Sequence, residues 1–251
     1  MIVCELSDRW QIVMQTDHAD LSGDFAQRWT QRTDRSDSLQ VAAERHDDGW
    51  AVWEQAPMCD VHSGKPMNFL GVGVLAHLAF YRAGIAAITE QDPYAGLLVS
   101  MHGAGIYRGR YGLQPELSLT FAGEVREQVD AFVAEQEGTF EARDRELGVT
   151  ERERRHDYEL LQIYDRLSLL FCMHDTLAPP AGELGGYRFE PDGDGTITMS
   201  PFPFDGAEQQ FSLVRRLLPH KIWSDGQRFR RDVFSVEPEA TSITIRAGSA
   251  G

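Results

Sequence analysis

Six residues of the kinds that bind metal ions recur along the first two thirds of the chain. They are His18, His46, Asp47, His77, His102 and Asp165. Imidazole nitrogens and carboxylate oxygens are ligands of hard and borderline metal ions, so this set predicts metal-dependent chemistry. Four imidazoles and two carboxylates are too many for one tetrahedral zinc ion. The set suits two metal ions with a carboxylate as the bridge between them.

The segments that carry these residues have helical periodicity. Repeating apolar positions predict helices over 17–30, 39–46, 69–90, 94–107 and 151–177, and each helix places one His or Asp on its apolar stripe. A polar side chain on a buried stripe costs roughly 1–3 kcal/mol when it has no partner. One such residue alone is most simply a core side chain with a hydrogen-bond partner. Five helices with one each indicate instead that these groups satisfy one another at a shared site.

The order of the six residues resembles the HD-domain superfamily in its two-metal form, H…HD…H…H…D. The resemblance covers residues 15–178, and Gly49 fits the superfamily's habit of a glycine two residues after the aspartate. The whole chain is similar to an uncharacterised bacterial family of HD-like proteins. The resemblance implies one metal ion on His18, His46, Asp47 and Asp165, a second on His77 and His102, and Asp47 as the bridge. It also implies catalytic roles for Asp47, His77 and His102.

Two kinds of enzyme use such a centre. The resemblance to HD oxygenases implies two iron ions that activate dioxygen for C–H cleavage in a small polar substrate that chelates the metal. The resemblance to HD phosphohydrolases implies two ions, such as manganese, nickel, cobalt or zinc, that activate water against a phosphoester or nucleotide. Many HD phosphohydrolases have a lysine after the HD pair, whereas here Gly49 is followed by Trp50 and the nearest lysine is Lys65. The di-iron oxygenase is therefore the favoured expectation, the phosphohydrolase the alternative, and a non-catalytic metal- or ligand-binding protein the third.

Four residues are predicted to contact the substrate. Arg108 and Arg110 lie in the segment RGR, directly after the helix of His102, where an arginine can bind an anionic group. A solvated turn explains these two arginines equally well. Trp50 and Tyr81 either line the substrate pocket or pack in the core.

The composition narrows the classes of partner. The 251 residues include 24 basic and 39 acidic side chains, which gives a net charge of −15. A surface with this charge repels nucleic acid and anionic lipid, so the expected partner is a small molecule. The sequence has no apolar run of about 18 residues and no signal-peptide pattern. Its three cysteines lack motif spacing and fit a reducing compartment, so a cytoplasmic location is expected, and the oligomeric state stays open.

The predicted fold is mainly α. A helical HD-like core over 15–178 is expected to bind the metal, with small β elements from 1–15 and 185–247 packed on it in a single domain. A second His-Asp pair, His174-Asp175, ends a helix before two prolines and is interpreted as structural. The segment DGDG around Asp194 is interpreted as a hairpin turn and not as a calcium loop. The last residues, 248–251, are expected to form a disordered tail.

Overall fold

A seven-stranded sheet joins the two ends of the chain. The computed structural model describes residues 1–117 and 119–248. The strands are β1 (Ile2–Glu5), β2 (Arg9–Val13), β3 (Gly182–Leu184), β4 (Tyr187–Gly193), β5 (Thr196–Ser200), β6 (Glu208–Pro219) and β7 (Glu239–Ala247). Their order across the sheet is β1-β2-β6-β7-β5-β4-β3. Among them β5 and β7 are parallel and the other neighbouring pairs are antiparallel, so the sheet is mixed.

The helices between the strands begin and end at residues whose chemistry explains the boundaries. They are α1 (Gln15–Arg28), α2 (Ser36–Arg45), α3 (Ala51–Glu54), α4 (Val74–Gln91), α5 (Pro93–Gly105), α6 (Gly123–Glu137), α7 (Phe140–Leu147), α8 (Glu151–Cys172) and α9 (Gly226–Ser235). The Asp92 side chain accepts hydrogen bonds from two backbone amides at the start of α5, and Pro93 occupies the first turn. Gly148, in the left-handed conformation, ends α7, and Thr150 with Glu153 forms a capping box that starts α8.

Helix α5 lies at the centre of the helical layer. Every residue from Tyr94 to Gly105 is buried, because α5 packs against α2, α4, α6 and α8. Glycines at two positions make room for large neighbours: a Cβ on Gly103 would lie 2.9 Å from Tyr81 Cδ1, and one on Gly105 would lie 2.2 Å from the Tyr158 hydroxyl. The two glycines that follow His102 therefore allow Tyr81 and Tyr158 to pack directly against the backbone of α5.

One buried amide ties the sheet to the end of α8. Gln11 on β2 donates from Nε2 to the carbonyl of His174 at 2.7 Å. Its Oε1 accepts from Arg215 on β6 at 2.9 Å and from the Thr176 hydroxyl at 2.9 Å. The helix that carries Asp165 is thus fixed to two strands through a single side chain.

The prediction of a mainly α fold with small terminal β elements is wrong. The structure is 51% helix and 20% strand, and its strands form one seven-stranded mixed sheet, which makes it an α/β fold. The alternating segments were visible in the sequence, but the hairpin of β1 and β2 joins the rest of the sheet only where β2 pairs with β6, almost 200 residues later. Local sequence patterns cannot show which strands pair when the strands are so far apart in the chain. The helix α9 was also missed.

Several local predictions have a definite outcome. The hairpin turn at Asp194 is confirmed, because β4 and β5 pair on either side of it. His174 and Asp175 follow the end of α8, where the Asp175 carboxylate accepts from the Leu177 amide. The expected tail at 248–251 lies, apart from Gly248, outside the described residues. Within the described ranges, no helix has both the length and the apolar character that a membrane crossing requires.

Candidate metal centre

Four of the six candidate ligands lie close together between α1, α2 and α8. His18 lies on α1, Asp165 lies on α8, and His46 and Asp47 follow the last turn of α2. His18 Nε2 is 3.1 Å from His46 Nε2, 3.4 Å from Asp47 Oδ2 and 3.6 Å from Asp165 Oδ1. His46 Nε2 is 3.7 Å from Asp47 Oδ2 and 3.6 Å from Asp165 Oδ1. Ligand atoms about 2.0–2.3 Å from one cation lie roughly 3.0–3.7 Å from each other. The distances from the two histidines to each other and to each carboxylate therefore fit ligands of a single ion.

The hydrogen bonds of the two histidines present their Nε2 atoms to each other. His46 Nδ1 lies 2.8 Å from the Ala43 carbonyl, an acceptor, so Nδ1 carries the proton in the neutral ring. Ser168 donates its hydroxyl hydrogen to the Asp165 carbonyl at 2.7 Å, so it accepts from His18 Nδ1 at 2.5 Å. Both neutral rings therefore keep an unprotonated Nε2, as metal-binding histidines do.

Gly49 sets the position of the turn that carries Asp47. The 3₁₀ turn Asp48–Trp50 lies directly on the backbone of α4. A Cβ on Gly49 would lie 2.0 Å from the Phe80 carbonyl oxygen, and one on Gly84 would lie 3.1 Å from the Gly49 amide nitrogen. Two glycines facing each other thus allow the contact, which gives a physical reason for the glycine after the HD pair.

We expect Gly49→Ala to destabilise the protein by about 3 kcal/mol, because the added methyl group meets backbone that cannot move aside. For a chain of this size the melting temperature should fall by roughly 6–12 °C, and the affinity for Mn²⁺ should fall with it as Asp47 shifts. Scanning calorimetry and metal titration measure both. Gly226→Ala is the control, because a Cβ there has no atom within 4 Å. Equal melting temperatures for the two variants would contradict the close contact.

The second predicted metal position contains a tyrosine hydroxyl. Tyr81 donates its hydroxyl hydrogen to Asp47 Oδ1 at 2.8 Å and lies 3.2 Å from His102 Nε2. His102 Nδ1 faces two donors, Arg110 at 3.1 Å and the Gln162 amide at 3.2 Å, so it accepts and the proton is on Nε2. Protonated Nε2 donates to the Tyr81 oxygen and is not free to bind a metal. His102, Tyr81 and Asp47 therefore form a hydrogen-bonded relay that ends on a ligand carboxylate.

His77 is not brought to the four converging ligands. Its Nδ1 lies 2.6 Å from the Tyr107 hydroxyl, and its ring packs against Tyr81 and Trp50. The metal-type groups found among the described residues are His18 with His46 and Asp165, and His46 with Asp47 and His102. His77 instead lines the cavity above the centre, half-buried and with a pKa that burial lowers to about 4. It is a neutral imidazole at pH 7.

The two predicted arginines have different environments. Arg108 is exposed and pairs with Glu137 on α6 at 3.2 Å, away from the cavity. Arg110 is buried, 2.6 Å from Gln162 Oε1 and 3.3 Å from Asp165 Oδ2. Four consecutive residues with positive φ, Gly109 to Gly112, turn its side chain inward. Such a conformation costs about 1–2 kcal/mol at each non-glycine residue, and strain of this kind concentrates at functional sites.

A cavity of about 450 Å³ opens above these residues. Its floor is formed by His18, Asp47, Tyr81, His102, Arg110 and Asp165, all six of which were named from the sequence. Trp50 also lines the cavity and is almost fully buried. Trp50 and Tyr81 therefore line the cavity and are also buried in the core, so both predicted positions hold for each residue.

Without a bound cation, the buried carboxylates at the centre outnumber the buried guanidinium groups. Burial raises the pKa of both the Asp165 and the Asp47 carboxyl. At Asp165 the Arg110 guanidinium and His46 outweigh burial, and at Asp47 His46 and His18 do, so both carboxyls have a pKa well below its usual range and are ionised. Burial lowers the pKa of His46, but the two carboxylates outweigh it and raise that pKa to about 9. Two carboxylates beside one guanidinium leave one negative charge, which a proton on His46 balances. A divalent ion can replace that proton.

The pH dependence of stability should therefore differ between the metal-free and the metal-loaded protein. A histidine whose folded-state pKa lies above its ordinary value of 6.5 stabilises the fold fully below pH 6.5, and this stabilisation is lost as pH rises through about 9. We expect the melting temperature in chelator to fall between pH 6.5 and 9. With saturating Mn²⁺ the metal replaces the proton and the fall should disappear. The same fall in both samples would show that no cation binds at His46.

Two polar residues of the centre were missed from the sequence. Gln162 and Ser168 lie three residues before and three residues after Asp165, on the same buried face of α8. They set the proton positions of His102 and His18. The signal was present, because polar residues at i−3 and i+3 from an inward carboxylate share its face.

Comparisons with known proteins identify a family. The family described as "Protein of unknown function (DUF3891)" matches residues 1–220, which include all the candidate ligands and the strands β1 to β6. No curated protein and no solved structure matches the chain. Because the matched span is most of the sequence, the chain belongs to the DUF3891 family.

Proposed function

We propose that the chain is a metal-dependent hydrolase of anionic esters, with phosphoesters as the expected substrates. The observation that carries the proposal is the placement of His18 Nε2 and His46 Nε2, which lie 3.1 Å apart and 3.4–3.7 Å from carboxylate oxygens of Asp47 and Asp165. His18, Asp47 and Asp165 also line the floor of a cavity that contains buried Arg110. Two imidazoles and two carboxylates suit Mn²⁺, Fe²⁺, Co²⁺, Ni²⁺ or Zn²⁺. A cation on His18, His46, Asp47 and Asp165 would polarise the phosphoryl group and lower the pKa of a bound water.

Arg110 supplies the positive charge that binds the substrate. Its guanidinium is always protonated, and its Nε has no hydrogen-bond partner among the described residues. A phosphoryl oxygen is the partner that a buried guanidinium binds most strongly. The lysine that is missing after the HD pair is thus replaced by an arginine that reaches the same cavity from the segment after α5.

The remaining residues handle protons. In hydrolysis the oxygen of water forms the new P–O bond, the P–O bond to the alcohol breaks, and one proton passes from the water to the leaving oxygen. His77 is neutral at pH 7 and can accept and return that proton. The relay from His102 through Tyr81 holds Asp47 Oδ1, so Oδ2 faces His18.

A second candidate function is the di-iron oxygenase that the sequence favoured. One observation supports it: ligand atoms of His46, Asp47 and His102 lie within 4.8 Å of one another, beside the first group. A second iron would need the space that the Tyr81 hydroxyl fills, and it would lie next to the guanidinium of Arg110. The single-ion hydrolase needs no such rearrangement, and for that reason it is preferred.

A cytoplasmic location and a small-molecule substrate, both expected from the sequence, fit this function. The three cysteines are free thiols, which persist in a reducing cytoplasm. The cavity volume of about 450 Å³ is typical of sites for small molecules.

Metal stoichiometry and anaerobic turnover test the proposal. We expect one Mn²⁺ per chain and hydrolysis of phosphomonoesters without oxygen. Tyr81→Phe should keep one ion per chain in the hydrolase but raise the number toward two if the tyrosine merely fills an iron position. Two irons per chain with substrate-dependent oxygen uptake, and no anaerobic hydrolysis, would replace the proposal by the oxygenase.

A further inference from the structure

The walls of the cavity differ sharply from its floor. The walls are formed mainly by apolar side chains, among them Phe69, Val72, Ile106, Phe121, Leu169 and Met173. Apart from Asp47, Asp165, Arg110 and the histidines, the lining carries no ionisable side chain except the two tyrosines, among the residues that the structure describes. All the charge of the cavity is therefore concentrated at one end.

We propose that the substrate is an anionic ester of an apolar alcohol, either an aryl or a short alkyl phosphoester. This inference rests on the proposed function, because it assigns the phosphoryl group to the charged floor. The apolar body of the substrate then lies against the walls, where its burial is favourable.

The polar groups of the walls are too few for a sugar or a nucleotide. Trp50 Nε1 and Gln15 Oε1 are buried without a hydrogen-bond partner among the described residues, which supplies one donor and one acceptor. Gln114, His77 and Tyr107 add three more polar side chains, of which His77 Nδ1 and the Tyr107 hydroxyl already pair with each other at 2.6 Å. A ribose and a base bring several hydroxyls and ring nitrogens, and most of them would lose water without gaining a partner.

The volume sets the size of the apolar body. At about 30 Å³ for each water-sized group, 450 Å³ has room for roughly 15 non-hydrogen atoms. A phosphoryl group with its ester oxygen uses about a third of this space. The remainder fits a body of the size of a naphthyl group.

The first test compares substrates with the Mn²⁺-loaded full chain. We expect kcat/KM for 1-naphthyl phosphate to exceed that for glycerol 1-phosphate, ribose 5-phosphate and adenosine monophosphate by at least tenfold. Leu117→Asn, which makes the wall polar, should reduce this preference at least threefold. Leu113→Asn is the matched control, because Leu113 is exposed in the same segment and does not line the cavity. Equal or better turnover of the sugar phosphate or the nucleotide would overturn the inference and leave the hydrolase intact.

The second test separates the ligand from the reaction. Calorimetry measures binding of 1-naphthylmethylphosphonate and of methylphosphonate, neither of which can be hydrolysed at an ester bond. We expect the naphthyl compound to bind at least tenfold more tightly than methylphosphonate, and Leu117→Asn to weaken its binding. This result supports the apolar ligand even if no ester is cleaved. In that case only the proposed hydrolase activity is contradicted. Equal binding of the two phosphonates would overturn the inference.

Discussion

Asp47→Asn is expected to lower metal affinity and phosphoester hydrolysis by at least about 100-fold, since substitution of even an outer partner of a metal ligand reaches 10–100-fold. The amide keeps the size of the side chain and can still accept from the Tyr81 hydroxyl at Oδ1. It removes the charge of Oδ2, which lies 3.4 Å from His18 Nε2 and 3.7 Å from His46 Nε2. Metal content after dialysis against a weak chelator, and kcat/KM with Mn²⁺, measure the two effects.

The chain contains a matched control for this substitution. Asp175 also follows a histidine, but its carboxylate only accepts from the Leu177 amide beyond the end of α8. Asp175→Asn should therefore leave metal content and hydrolysis within about twofold of the unchanged protein. If Asp47→Asn retained its metal, or if both variants lost it equally, the centre would not be where the geometry indicates.

Arg110→Ala is expected to lower kcat/KM by about 10²–10³-fold while metal content stays at one ion per chain. Loss of a preorganised donor to a developing negative charge costs about 2.7–4 kcal/mol in enzymes of known mechanism. Arg110→Lys should recover only part of the loss, because an ammonium lacks the planar fork of the guanidinium. Steady-state kinetics with the metal-loaded variants measure these changes.

The backbone at Arg110 provides an independent readout. Its φ of 52° is in the left-handed region, where glycine is unstrained. Arg110→Gly should therefore be as inactive as Arg110→Ala but more stable by about 1 kcal/mol in denaturant unfolding. Arg108→Ala, which removes an exposed pair with Glu137, should change neither activity nor stability appreciably. Loss of activity in Arg108→Ala alone would contradict the assignment of the anion site to Arg110.

The convergence of His18, His46, Asp47 and Asp165 could be anticipated because helical periodicity shows which face of a helix is buried. A polar residue on that face needs a partner, and histidine and aspartate are residue types that bind metal ions. The positions of His77 and His102 relative to a metal could not be anticipated in this way. They depend on the Tyr81 hydroxyl and on the proton of His102, which is fixed by Gln162 and Arg110 from other elements.

Local patterns could not show which of the two arginines, Arg108 or Arg110, turns inward, nor how far the sheet extends. The left-handed conformation of Arg110 and Tyr111 runs against their intrinsic preferences, so a residue that looks like part of a solvated turn is buried instead. The sheet depends on pairing between β2 and β6. The sequence shows that both segments alternate, but it does not show that they pair or in which register.

The pairing of β2 with β6 has a consequence for synthesis of the protein. All the candidate ligands precede residue 166, whereas β6 begins at Glu208. The nascent chain therefore completes its set of ligands well before β2, already paired with β1, has its second partner. Until then β2 presents an unpaired edge, which is the kind of surface from which aggregation begins. Closure over such a sequence distance is slow, on the order of milliseconds to seconds for sheets with non-local pairing. The arrival of β6 also brings Arg215 to Gln11, whose amide holds the end of α8, the helix that carries Asp165.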